Sequence, residues 1–474
     1  MAPIPISLGS GSNNARFSAA GITRHLNCYV EKQDDTKTNS MVVACDGLTL
    51  LTTLGSVGCR AMIEVGPYVV AVYGRNVYRL AADGTSKLIG GFPTSGSVSI
   101  RKNRRAYPQV GLVSDGLYYV VDTQSWTISQ VSIPGLPPPI GLGMFDGYGI
   151  LPASKNLWYI TSIDDFTTVS LLNFAQAEGD PDEIIAADER DGEVVLFNRD
   201  SVEWWQDTGA ASFPFARSQI VHIGCLCAGG VHKVDRTLAW IDRNCVVRLM
   251  DGYDGKRISD HGIERDIRQA DPDTITSTSW TNGGHIFVSW SCPLWTRTYN
   301  LTTNNWHDRE SYGDTRWRVS HVVKLGTAIL AGDYQTGAVY TMSADVYDEA
   351  GSPLTMLIQT PPFYMPAARV QLDAIQIDAI AGVGLNSTLV QDKNPVLMLS
   401  WSDNGGKVFN TERQLPLGVQ GDYLRRCFGT RLGVVPHVGR VFRLKVSASV
   451  VKAIQGMYIP EDINGRPRMT VLVA

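Results

Sequence analysis

The feature that most constrains this chain is a hairpin that recurs along its length. An apolar strand, a polar turn and a second strand follow one another at 68–84 (YVVAVYGRNVYRLAADG), 116–129, 148–165, 193–206, 238–249, 285–301 and 327–342. The runs are rich in Val, Ile, Tyr and Trp and are broken by Gly, Asp or Asn, the residues that strands and tight turns favour. With Tyr68, Leu117, Gly149, Glu193, Leu238, His285 and Thr327 as markers, the intervals are 49, 32, 44, 45, 47 and 42 residues. All but one match the roughly 40–50 residues of a four-stranded propeller blade. A two-sheet sandwich also turns every ~8–12 residues, but it gives no near-identical hairpin at a longer fixed period. The fold is therefore read as all-β, with a six- or seven-bladed β-propeller over 46–350. The short interval at 117–149 leaves the blade count open.

Beyond Gly351 the period stops, and SPLTM and TPPFYMP mark 351–366 as a linker. VQLDAIQIDAIAG, VLMLSWS, VFRLKVSASV and IQGMYI then read as strands of a small C-terminal β-sandwich over 367–459. Residues 460–474 read as a polar tail and 1–45 as an N-terminal arm. Only LLNFAQAE (171–178) and HGIERDIRQA (261–270) look helical. Blades bury their faces on one another, so the propeller is expected to fold without the C-terminal unit, which would instead supply a docking surface.

Composition excludes several classes. The 474 residues carry 42 Lys and Arg against 46 Asp and Glu, a net charge of -4, and only 19% are charged. That is neither a basic nucleic-acid clamp nor a disordered acidic tail. No run approaches the ~18 apolar residues of a membrane span, and the first residues lack an export-signal pattern, so a soluble chain with no membrane partner is expected. Eight cysteines, none in Cys-x-x-Cys, are too sparse for a disulfide scaffold. Cys225 and Cys227 are read, like the others, as free buried thiols.

Little in the sequence points to catalysis. SWSDNGGKVF (400–409) is a relaxed Asp-box turn, in which Asp403 is expected to bind turn N–H groups while Gly405 and Gly406 take positive φ. It occurs once, outside the repeats, and does not carry a sialidase assignment. Lys407 precedes Val408, so there is no phosphate loop, and the eight histidines form no H-x-H or H-x-x-x-H pair. Asp164–Asp165 and Asp180–Asp182 read as turn formers, and no Gly-x-Ser-x-Gly elbow occurs. No catalytic residue, metal site or cofactor is expected, and the protein is read as a non-enzyme.

Two basic groups are candidates for subunit or phosphate contacts. One is Arg101, Lys102, Arg104 and Arg105 in RKNRR, which otherwise reads as a solvated inter-blade loop. The other is Arg425, Arg426, Arg431, Arg440, Arg443 and Lys445, interleaved with Leu424, Phe428, Leu432, Phe442 and Leu444. Strand alternation puts Arg443 and Lys445 on an outer face, with Phe442 and Leu444 turned to the core.

Six segments, in order, resemble the packaged DNA stabilisation proteins of short-tailed bacteriophages. They are LNCYVE (26–31), FAQAEGDPDEI (174–184), EVVLFNRDSVEWWQDTGAASFPFAR (193–217), GYDGKRISDHGIE (252–264), TRTYNLTTNNWHDR (296–309) and TRLGVVPHVGRVFRLKVS (430–447). VVPHV (434–438) departs from the more polar, basic pattern of that family. The resemblance implies a structural virion protein of the short tail, made in the bacterial host cytoplasm. It implies a hexameric tail-hub ring that closes the portal channel on packaged double-stranded DNA without sequence specificity. It also implies docking to a head-to-tail adaptor above, and to a tail needle, fibres or tailspikes below or outside. Six copies would carry a formal charge of -24, which suits a gate that retains DNA mechanically better than one that grips phosphate. The rival reading is a propeller that binds or hydrolyses glycans, which would need arginines or acids converging on a propeller mouth.

Overall fold

The computed structural model describes residues 3–14, 22–32, 39–177, 182–210, 213–365 and 368–472. Among the described residues, seven four-stranded antiparallel blades follow one another from Gly47 to Ser343, five as separate sheets and two within larger sheets. Their second strands begin at Tyr68, Gln109, Tyr148, Glu193, Thr237, His285 and Ala328, at intervals of 41, 39, 45, 44, 48 and 43 residues. The propeller is thus seven-bladed. The short interval in the sequence reading arose because Leu117 begins the third strand of its blade (Leu117–Asp122), whereas the other markers lie at the second.

Turn chemistry sets the hairpins. Asp115–Gly116, Asp146–Gly147 and Asp191–Gly192 each have both residues at positive φ, the requirement of a two-residue turn that matches strand twist. The apolar side chains form a separate cluster between each pair of adjacent blades, seven in all, in place of one central core. In the seventh blade, Val319–Leu325, Ala328–Asp333 and Ala338–Ser343 are completed by Gly47–Thr53, paired from Ala338 opposite Thr53 to Ser343 opposite Gly47. Chain from both ends of the propeller therefore closes the ring.

One of the two expected helices forms. His261–Gln269 is capped by Asp260, whose carboxylate accepts from the Gly262 and Ile263 amides, and it buries Ile263 and Ile267 between blades five and six. The other is a correction: as far as Gln176, LLNFAQAE belongs to the strand Asp165–Gln176, and Glu178 lies outside the described residues. Pairing of Leu157–Tyr159 with Phe174–Gln176 satisfies this backbone and turns Ala175 inward, and tertiary pairing outweighs the helical preference of Leu and Ala.

The C-terminal β-sandwich has one core, built from Ile358, Ile375, Leu399, Trp401, Phe442, Leu444 and their neighbours. Both ends of the chain are woven into it. In the segment read as an N-terminal arm, Ile4–Ile6 pairs with Ala453–Ile459, Cys28–Lys32 pairs with Ser40–Ala44, and Ile22–Leu26 pairs with Met356–Gln359. Met356–Gln359 itself lies within the segment read as a linker, with Met356 and Ile358 in the core. In the segment read as a tail, Met469–Leu472 pairs with Arg369–Leu372.

Ile22–Leu26 also bridges the outer strand of blade six, through Leu26 and Asp308, so propeller and sandwich share a hydrogen-bonded sheet. Around this bridge lies a buried polar seam. Arg24 and Arg297 both bind Asp308, at 2.8 and 2.7 Å. Arg309 stacks on Trp317 and donates to the Asp46 carbonyl. Lys452 Nζ donates to the carbonyls of Tyr347, Leu354 and Ala448, tying propeller, connector and sandwich together.

Candidate interaction surfaces

The first strands of the blades surround the propeller axis and bring polar residues from distant parts of the chain together. Arg101 on Ser99–Lys102 of blade two reaches past blade three and donates to Asp188 on Ile184–Arg190 of blade four, at 2.6 Å. Lys102 pairs with Glu64 of blade one at 2.6 Å, and Lys233 of blade five pairs with Glu189 of blade four. His232 bonds Ser279 at 3.0 Å. Desolvation in the packed axis, reinforced by Arg101 and opposed by Asp188, lowers the His232 pKa to about 4. Desolvation, reinforced by Arg316, likewise lowers that of His321 to about 4. Paired charges that stay about a third exposed, and neutral imidazoles, line the axis.

The RKNRR cluster is internally neutralised. Besides Arg101 and Lys102, Arg104 pairs with Asp146 at 2.7 Å and Arg105 lies 3.8 Å from Asp165. Burial raises the Asp165 pKa, but donation from Thr167 and Thr168 outweighs it and brings the group down to about 2. Each of these four arginines and lysines has a carboxylate within ion-pair reach, which leaves little free cationic field for phosphate. Sequence reasoning missed Asp188, Glu64 and Lys233 because their partners lie 38 to 87 residues away.

The C-terminal basic group is split by the fold. Arg440 requires correction as a surface contact: its side chain is 2% exposed, binds Asp403 through two bonds of 2.7 and 2.8 Å, and donates to the Leu432 and Val434 carbonyls. This also corrects the Asp-box reading. Asp403 is committed to Arg440, while Ser402 Oγ accepts from Gly406 N and Asn404 Oδ1 accepts from Lys407 N and Val408 N. Gly405 and Gly406 do take positive φ. Arg443 is half-buried, donates to Gln359 and lies over the Phe409 ring, while Lys445 sits 3.5 Å from Glu412. Phe442 and Leu444 point into the core between them. Arg425 is exposed, 3.9 Å from Asp422, and Arg426 and Arg431 are exposed without an ion-pair partner among the described residues. Arg468, missed in a turn-rich stretch, joins Arg426 and Arg431 along clefts on the sandwich's outer face.

Among the described residues no group of three His, Cys, Asp or Glu could hold a metal, and all eight cysteines are free thiols. Burial pushes the Cys227 thiol up to about 12 and that of Cys225 higher still. Asp164, at positive φ, sits in a tight turn, Asp182 accepts from the Asp200 amide, and Asp180 lies outside the described residues.

Known proteins match the chain at the level of domains. Residues 4–347 match the family described as Bacteriophage P22 Gp10, beta-propeller, and residues 355–460 match Bacteriophage P22 Gp10, beta-sandwich. No match was found among curated proteins. Among solved structures, the computationally designed Ika8 protein matches at 14% identity and a TM-score of 0.38, covering 62% of this chain and 99% of that one. A chain of the Mitotic Checkpoint Complex matches at 12% identity and 0.40, covering 62% and 94%. U3-55K matches at 10% identity and 0.42, covering 62% and 98%. With both of its units matched in order, the chain belongs to the bacteriophage P22 Gp10 family of phage packaged-DNA stabilisation proteins, which are structural phage proteins.

Proposed function

We propose that the chain is a tail-hub subunit. Copies of it, six by the family resemblance, form a ring that joins the portal-side adaptor to the distal tail and closes the channel on packaged double-stranded DNA. The observation that carries this reading is an ion pair inside the ring of first strands, which spans from blade two past blade three to blade four. Arg101 and Asp188, from blades two and four, meet at 2.6 Å. Duplex DNA, whose major groove alone is about 12 Å wide, has no passage through such a centre. A DNA channel would then have to run between copies, which a ring supplies.

Charge supports mechanical retention over an electrostatic grip. The subunit is net -4 and its densest basic motif is paired internally. The needle, fibres or tailspikes would dock on distal or outer surfaces, and the protein would reside in the short tail of the virion after synthesis in the host cytoplasm. The glycan-enzyme reading would need an acid free to act at a propeller mouth, whereas Glu64, Asp188 and Glu189 are each bound to a cation. In the proposed role the protein catalyses nothing. Particles assembled without it are expected to package DNA and then lose it, read as nuclease-sensitive DNA in purified heads. Stable retention in its absence would refute the proposal.

A further inference from the structure

We propose that a second copy of this chain covers one end of the sandwich, seating the outer strand of its own blade three there, so that subunits join head to tail. This rests on the ring reading and names the two surfaces that would build the ring. Two loops, 380–394 and 417–426, close the end of the sandwich in question. They are tied together by Gly382, whose amide donates to the Leu417 carbonyl at 2.9 Å and whose carbonyl accepts from Gly421, and by the close approach of Gly384 to Val419. On this shared frame Leu385, Leu389, Val390, Val419, Tyr423 and Leu424 all stand exposed, Leu424 at 93%.

Three observations single out a second copy as the occupant. First, the patch is large and mostly apolar. Tyr423, 74% exposed, alone offers on the order of 150 Å², and six such side chains reach several hundred Å², a substantial part of the ~800 Å² that one partner contributes to a stable interface. Of the loop carboxylates, Asp392 is buried and accepts from the Ser449 amide, and Asp422 faces Arg425 at 3.9 Å. Second, the chain carries a matching surface. The outer strand of blade three, Asp165–Gln176, has 12 residues where the other blades have four to seven, and it is uncharged from Thr167 to Gln176. Tyr159 pairs with Phe174 but Thr161 with Val169, so Ser170–Asn173 bulge out opposite Ile160. Leu171, Leu172 and Phe174 are exposed there, Leu172 at 82%. The other free outer strands are short or carry charge, the usual protection of a sheet edge, and this one is left to be covered. Third, the two surfaces lie on opposite flanks. The sandwich joins blade six through Leu26 and Asp308 and blade seven through Glu349 and Leu48, and blade three is three blades away from each. A head-to-tail contact that closes a ring uses two different patches facing apart, whereas a two-fold contact uses one patch twice.

The test is sedimentation velocity of the full chain, alone and with the portal-side adaptor, comparing the unsubstituted protein with Leu172→Lys, Leu424→Glu and the double variant. Each single substitution buries an unpaired charge at the contact and should weaken assembly at least about tenfold. The double variant sets the two charges against each other at every contact and should recover to within about threefold of the unsubstituted protein. Both positions are exposed, so folding should be unaffected, as circular dichroism would show. Leu172→Ser and Leu424→Ser should each weaken assembly about 2- to 5-fold, and they decide if a charged variant misfolds. Single variants that assemble like the unsubstituted protein, or a double variant no better than the singles, would overturn the contact and leave the ring reading standing. Loss of assembly with only one of the two single substitutions would also overturn it, and would assign that surface to the adaptor. An unsubstituted chain that stays at 51.8 kDa with the adaptor present would remove ring and contact together.

Discussion

Replacing His307 by Phe should make the protein more resistant to acid while leaving it nearly unchanged at neutral pH. His307 lies in the seam between propeller and sandwich, beside Tyr29 and Phe287 with ring centroids 5.9 and 5.7 Å away, and neither ring nitrogen has a hydrogen-bond partner among the described residues. Desolvation by burial, reinforced by Arg309 and opposed by Asp308, brings its pKa from 6.5 down to about 3. The folded state therefore holds the imidazole neutral where the unfolded chain binds a proton. Stability is intact above about pH 6.5 and is lost progressively as pH falls from there toward 3. Integrating between these two pKa values gives a penalty of about 2 kcal/mol at pH 5. His307→Phe removes the penalty and sacrifices no hydrogen bond, so at pH 7.5 its stability should match the unsubstituted protein within about 1 kcal/mol. At pH 5 the variant should be more stable by about 2 kcal/mol, read from paired denaturant titrations at both pH values. A difference between the two proteins that does not change with pH would show that His307 is not held neutral in the seam.

Lys452, whose pKa burial lowers to about 8, should make stability rise between pH 8 and 10.5, since the unfolded chain binds the extra proton there, and Lys452→Met should flatten that rise in thermal melts. Asp403→Ala leaves buried Arg440 without its carboxylate and should cost about 3 kcal/mol; a loss below about 1 kcal/mol in denaturant titration would contradict the pairing. A chain ending at Gly351 but retaining 1–45 should aggregate, because Ile22–Leu26 and Cys28–Lys32 lose the sandwich, whereas residues 46–350 alone should be soluble and β-rich by circular dichroism. DNA binding at physiological salt should be weak and unaffected by neutralising Arg104 and Arg105, and a steep salt-dependent loss in that variant would be the contrary result.

Local signals carried the fold well and long-range pairing poorly. Strand alternation and Asp-Gly turns are encoded within a few residues, so the blades and the all-β class could be read from the sequence. The blade count stayed open because Leu117 and Tyr68 start similar hairpins one strand out of phase. LLNFAQAE looked helical because Leu and Ala favour helix, and the strand Leu157–Ser162 that claims it is a tertiary partner. The N-terminal segment looked like an arm because two of its strands, Ile4–Ile6 and Ile22–Leu26, pair with residues more than 300 positions away. Charge was legible as composition but not as surface. RKNRR and Arg440 are conspicuous in sequence, yet carboxylates brought in by the fold neutralise them, while Arg468 goes unremarked and has no ion-pair partner among the described residues.

The ring is tested most directly by native mass spectrometry of the full chain mixed with its portal-side adaptor, followed by imaging of the same sample. A tail hub of six copies predicts a closed assembly containing about 311 kDa of this chain, with a central opening between subunits and no DNA in the centre of any one propeller. A chain that remains at 51.8 kDa with the adaptor present, or DNA density threading the axis of a single propeller, would contradict it.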